Sequence, residues 1–114
     1  MSRHYRLRLL YITDAIDRIV SYTEGLNYPS FLEDIKTQDA VTRNIEIIGE
    51  ASRSLPEDFR QVNSTVPWQE IIGMRNVIVH AYFGILPDVV WDIIKNELAP
   101  LKEKITRLLA DSDI

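Results

Sequence analysis

Cysteine is absent from this chain of 114 residues, which excludes a disulfide framework and any thiolate metal site and gives no sign of an oxidising compartment. Long apolar runs are missing as well. The longest are interrupted by Arg75, His80 and Asp92 before they reach the roughly 20 residues that a membrane-spanning helix needs. The opening Met1-Ser2-Arg3-His4-Tyr5-Arg6 leads into no signal-peptide core, so a cytoplasmic protein without a membrane partner is expected. Positive charge is in deficit. A net charge of −4 argues against a nucleic-acid coat, whose affinity is built from many phosphate contacts, although a local basic site is compatible with it. Histidine is scarce: only His4 and His80 occur, with no His-x-x-x-His spacing, so neither a built-in metal centre nor another cofactor is expected.

What remains is a chain sized for one domain, 1–114, whose four glycines and five prolines divide it into helices. Leu9, Ile12, Ile16 and Ile19 repeat at spacings of three and four, which predicts a long core helix from about Arg3 to Tyr22, closed by Gly25. Ser30-Phe31-Leu32-Glu33 has the capping-box pattern of a short helix, and a second long helix is expected from about Thr37 to Ser54 with Val41, Ile45, Ile48 and Ala51 facing inward. On its other side Arg43, Glu46, Glu50 and Arg53 form a charged row, in which Glu46 and Glu50 are like charges one turn apart that favour a cation from elsewhere. Ser54 and Glu57 are spaced as a second capping box around a short helix opened by Pro56. Pro67 sets the start of the next helix, which should end near Phe83 with Gly84 as its left-handed cap. Pro87 opens a helix that buries Val90, Trp91, Ile94 and Leu98, and Pro100 should break or kink it before Leu101, Ile105 and Leu108. No segment shows the strict alternation of a half-buried strand, so an all-α bundle of antiparallel helices is predicted.

The chemistry lies in Arg75-Asn76-Val77-Ile78-Val79-His80-Ala81-Tyr82. Arginine suits a phosphate, histidine moves a proton near neutral pH, and tyrosine offers a modifiable hydroxyl. At 100° per residue Arg75 and Tyr82 fall within about 20° of one direction, whereas His80 lies about 140° round from Arg75 and about 7.5 Å along. Either the helix loosens before Gly84, or two copies of the chain compose the site; a two-fold homodimer would bring two Arg75 and two His80 together. Asn76, one turn before His80, is placed to hold the imidazole by a hydrogen bond. Carbonyls at the helix end should raise the His80 pKa. Arg75 would then stabilise charge on a phosphodiester transition state while His80 exchanges a proton with the attacking or leaving oxygen, and no metal is required. Spacing alone also allows a structural reading, in which His80 is a core histidine and Arg75 pairs with Glu46 or Glu50.

These residues resemble the Arg-x4-His signature of the HEPN superfamily and, in the fuller form Arg-Asn-x3-His-x-Tyr, the HepT toxin family. Gln38-Asp39-Ala40-Val41, Glu46-Ile47-Ile48-Gly49-Glu50-Ala51, Pro67-Trp68, Gly73-Met74-Arg75-Asn76 and Trp91 match the family's pattern in order, so the resemblance spans about the whole chain. It implies an all-α homodimer and a metal-independent endoribonuclease toxin that cuts RNA with Arg75 and His80. It also implies a cognate minimal nucleotidyltransferase as antitoxin, which transfers AMP from ATP to the tyrosine of the motif, here Tyr82. The alternative expectation is a non-catalytic module that binds a nucleotide or docks a nucleotidyltransferase, a role that the acidic net charge suits but that has no need of the complete motif.

Overall fold

The structure, a computed structural model, describes residues 2–81 and 87–111, with side chains described except at 77–81. Among the described residues every regular element is helical: α1 (Arg3–Thr23), α2 (Tyr28–Glu33), α3 (Ile35–Arg53), α4 (Glu57–Val62), α5 (Trp68–Ala81), α6 (Pro87–Asp92), a π-helical turn (Ile93–Glu97) and α7 (Leu98–Asp111). The amphipathic stripes read from the sequence meet in one core. Leu9, Ile12, Ile16 and Ile19 of α1 face Val41, Ile45 and Ile48 of α3, and all seven are fully or almost fully buried. Ile71 of α5 and Leu98, Leu101 and Ile105 of α7 complete the same cluster. Helix α3 packs against both α1 and α5, while α1 also packs against α7.

Side-chain bonds give the directions of these helices. Arg8, near the start of α1, donates from Nε to Ser54 Oγ just past the end of α3 at 2.8 Å. Along the other flank, Arg6 reaches the Leu109 carbonyl at 3.3 Å, and Asp17 pairs with Lys102 at 2.5 Å. Both pairs of neighbours therefore run antiparallel, as expected. Arg6, Arg8 and Lys102 are engaged in these ties, and Arg107 pairs with Glu103 one turn away at 2.6 Å. No described helix is long and apolar enough to cross a membrane.

The helix starts correct several sequence expectations. Ser30 does not cap α2. Asn27 does, accepting from the Ser30 amide at 2.9 Å, so the helix begins earlier and places Pro29 in its first turn, where a missing N–H costs nothing. Helix α3 likewise begins at Ile35, because Asp34 caps it by accepting from the Thr37 amide at 3.0 Å and the Thr37 hydroxyl at 2.7 Å. The Thr37 side chain, and then its backbone N–H, hold the Asp34 carboxyl below the usual carboxylate range. The Ser54–Glu57 capping box does not form. Ser54 Oγ turns back to donate to the Ala51 carbonyl at 2.7 Å, and α4 starts at Glu57 without a side-chain cap. Gly25 closes α1 at a positive φ of 78°, a conformation that disfavours residues with a β-carbon.

Pro100 does not break the chain. Helix α6 runs through the π turn into α7, and within that turn the Leu98 N–H bonds to the Ile93 carbonyl, five residues back. The wider turn adjusts the register just before the proline, whose lack of an N–H and whose ring both conflict with a regular α-helical turn. Trp68 is buried and Trp91 half-buried. The Trp91 ring lies 5.1 Å from Phe31 with Lys95 Nζ 4.7 Å from its centroid, so it joins α2 to α6.

Candidate functional site

Helix α5 carries the motif, and its start is held firmly. Trp68 donates from Nε1 to the Asn63 carbonyl at 3.0 Å and packs its ring 6.3 Å from Phe59, which anchors the first turn. Ile71 and Met74 face the core and are buried. Arg75 follows Met74 by about 100° of helix rotation and so emerges at the edge of that core. Its neighbour across α3 is Gly49, whose missing side chain permits the approach: a β-carbon there would lie 3.2 Å from the Arg75 Cβ and 3.8 Å from the Ile71 carbonyl oxygen.

Arg75 Nε meets Glu50 Oε1 at 2.7 Å, with the two side chains 40% and 53% exposed. Of the two partners that the sequence allows, the structure selects Glu50. The pairing does not consume the arginine. A guanidinium has five N–H donors, and with the carboxylate nearest to Nε the four on the terminal nitrogens have no hydrogen-bond partner among the described residues. Such an exposed pair contributes roughly 0–1 kcal/mol to stability, so its geometry matters more than its energy.

Asn76 is exposed beside Arg75. The backbone of His80 belongs to α5, but its side chain lies outside the described set, as do Tyr82, Phe83 and Gly84 altogether. The shared face of Arg75 and Tyr82, the Asn76–His80 contact and the glycine cap therefore stand as sequence expectations. Among the described residues no group of three or more His, Asp or Glu side chains is placed to hold a metal ion.

Beside the ion pair opens a groove of about 540 Å³ between α1 and α3, which Glu50 and Glu46 line together with His4, Leu7, Tyr11 and Arg43. Leu7 and Tyr11 are 45% and 49% exposed, large apolar surfaces for a helix whose opposite stripe is sealed. Sequence reasoning missed this face. Its signal was present in the spacing of Leu7 and Tyr11, one turn apart and off the Leu9-to-Ile19 stripe.

The chain matches known proteins along nearly its full length. Residues 12–108 match the family model described as Ribonuclease HepT-like. The chain is 41% identical over 108 residues to a protein of Thermococcus cleftensis named "Probable ribonuclease HepT", covering 95% of this chain and 98% of that one. It is 36% identical over 106 residues to a protein of Methanocaldococcus jannaschii named as an inferred RNase, covering 92% and 97%. It is 35% identical over 101 residues to another so named in Caldanaerobacter subterraneus subsp. tengcongensis, covering 89% and 90%. No solved structure matches significantly. With the all-helical core, the Arg75-bearing helix and a family match spanning nearly all of it, this chain belongs to the HepT-like ribonuclease family.

Proposed function

We propose that this chain is a metal-independent endoribonuclease and the toxin of a toxin-antitoxin pair. The observation that carries the reading is Arg75: on a firmly held helix, it presents a half-exposed guanidinium whose terminal nitrogens have no partner among the described residues, five positions before His80. In this reading those nitrogens grip a phosphodiester of RNA, and His80 exchanges a proton with the reacting oxygens. The 2′-hydroxyl attacks phosphorus and loses its proton, the bond to the 5′-oxygen breaks, and the leaving oxygen takes a proton. Charge on the pentacovalent phosphorus is stabilised by Arg75. Asn76 supports His80. The offset of about 140° between Arg75 and His80 favours a homodimer in which two copies compose the site. The relatives named as ribonucleases support the reaction class.

The same reading gives the switch. A cognate minimal nucleotidyltransferase joins the α-phosphorus of ATP to the Tyr82 oxygen, releasing pyrophosphate and the phenolic proton. The AMP so attached brings bulk and negative charge to the face that Tyr82 shares with Arg75, competing for the guanidinium and repelling RNA.

The test is expression of the wild-type chain against Arg75→Ala and His80→Ala. Growth arrest with RNA degradation for the wild type, and neither for two variants that fold equally well, supports the proposal. Equal toxicity of all three overturns it, and a harmless wild type that binds nucleotide or the nucleotidyltransferase establishes the non-catalytic module instead.

A further inference from the structure

Glu50 is one turn beyond Glu46 on α3 and is the carboxylate that meets Arg75, at 2.7 Å from Nε. A carboxylate can engage a guanidinium at its end, through both terminal nitrogens, or along the side that includes Nε. Only the second mode leaves the end of the fork open. Here the ion-pair contact is at Nε. The carboxylate thereby restrains the rotation of a long, flexible side chain and keeps its planar end free. We infer that Glu50 is a positioning residue for Arg75: it orients the guanidinium so that the two terminal nitrogens point away from α3, towards the substrate phosphate.

Three features of the site support this. The pair is exposed, so it adds little to the fold, which leaves orientation as its main consequence. Gly49, the residue before Glu50, lets α3 approach α5 at Arg75, so the carboxylate and the arginine are brought together by backbone packing and not by reach alone. Glu46, half-buried one turn earlier on the same groove, does not bond Arg75, so the contact is selective between two carboxylates. A phosphate arriving at the open end meets a donor fork already oriented, and a misplacement of about 1 Å at such a contact costs on the order of 10²-fold in rate.

The inference rests on Arg75 being the phosphate-holding group. The experiment follows cleavage of a fluorescein-labelled single-stranded RNA of mixed sequence by the full chain carrying Glu50→Ala, Glu50→Gln, Arg75→Ala or Glu50→Ala with Arg75→Ala, with thermal melting run alongside. Glu50→Ala should melt like wild type while kcat falls about 10²-fold with KM little changed. Glu50→Gln should restore most of the rate with an unchanged pH profile, since its amide oxygen can occupy the same place beside Nε, and Glu50→Ala should cost nothing more once Arg75 is gone. Wild-type kinetics in Glu50→Ala would overturn the inference. So would equal loss in Glu50→Gln with an altered pH profile, which marks proton transfer by Glu50 itself, or a loss that adds to that of Arg75→Ala. Full activity in Arg75→Ala would instead remove the catalytic reading beneath it.

Discussion

Gly49 of α3 lies directly against the Cβ of Arg75 on α5: a β-carbon on the glycine would stand 3.2 Å from the Arg75 Cβ, closer than ordinary van der Waals contact. The obstructing atom is fixed to the α5 backbone and moves only with the helix. Gly49→Ala should therefore push α5 outward at the motif. Overpacking costs about 1–3 kcal/mol and the helical preference of alanine returns about 0.5–1 kcal/mol, so a net loss on the order of 1 kcal/mol is expected. Thermal unfolding measures the loss, and RNA cleavage should fall by more than stability alone explains.

Arg75→Lys keeps the charge but removes the fork. A lysine ammonium cannot bond Glu50 and present a planar pair of donors to a phosphate at once. Its kcat is expected to fall on the order of 10²-fold with the fold intact, whereas a site needing only a positive charge would keep most of its rate.

Tyr82→Phe removes the oxygen that AMP would be joined to while keeping the ring. Co-expressed with the nucleotidyltransferase, this variant should remain toxic and show no added AMP in its intact mass. Wild-type chain that is inactive yet unmodified at Tyr82 would count against the switch.

Asp34→Asn separates the cap of α3 from its charge. The Thr37 hydroxyl and amide depress the Asp34 pKa in the folded state. This contribution to stability is present above the unfolded carboxyl's pKa and is lost as pH falls through the folded one. The wild-type melting temperature should drop on acidification through that window, and the part due to Asp34 should vanish in Asp34→Asn, whose side-chain oxygen still accepts from Thr37. Asp34→Ala should be less stable than both near neutral pH.

Ile48→Ala opens a cavity where α3 meets the core. Ile48 is 0% exposed, so a loss of about 2–5 kcal/mol is expected, while Ile48→Val should cost about 0.5–1.5 kcal/mol. Chemical denaturation of the two variants gives the comparison.

Much of this architecture was legible in the residues. The stripes Leu9-to-Ile19 and Val41-to-Ala51 are both buried as their spacing demands, because helical periodicity is a local property that survives whatever the helix packs against. Capping was less legible. Ser30-to-Glu33 and Ser54–Glu57 both have the right spacing, yet Asn27 takes the first cap and α4 starts with no side-chain cap, since several small polar residues compete within one turn and the backbone geometry of the loop picks among them. Pro100 reads as a breaker by its own chemistry, but neighbouring turns absorbed it through a π turn under the packing of Leu98 and Leu101.

The sequence by itself determined the all-helical class, the core stripes and the family motif, because each depends on residue type and on spacing along one helix. Only the tertiary structure decided which carboxylate Arg75 takes, that Nε is the atom engaged, and that a glycine on another helix makes room for it. Glu46 and Glu50 are equivalent one turn apart on a helical wheel. The difference between them is set by where α3 crosses α5, a distance in space that no periodicity along the chain encodes.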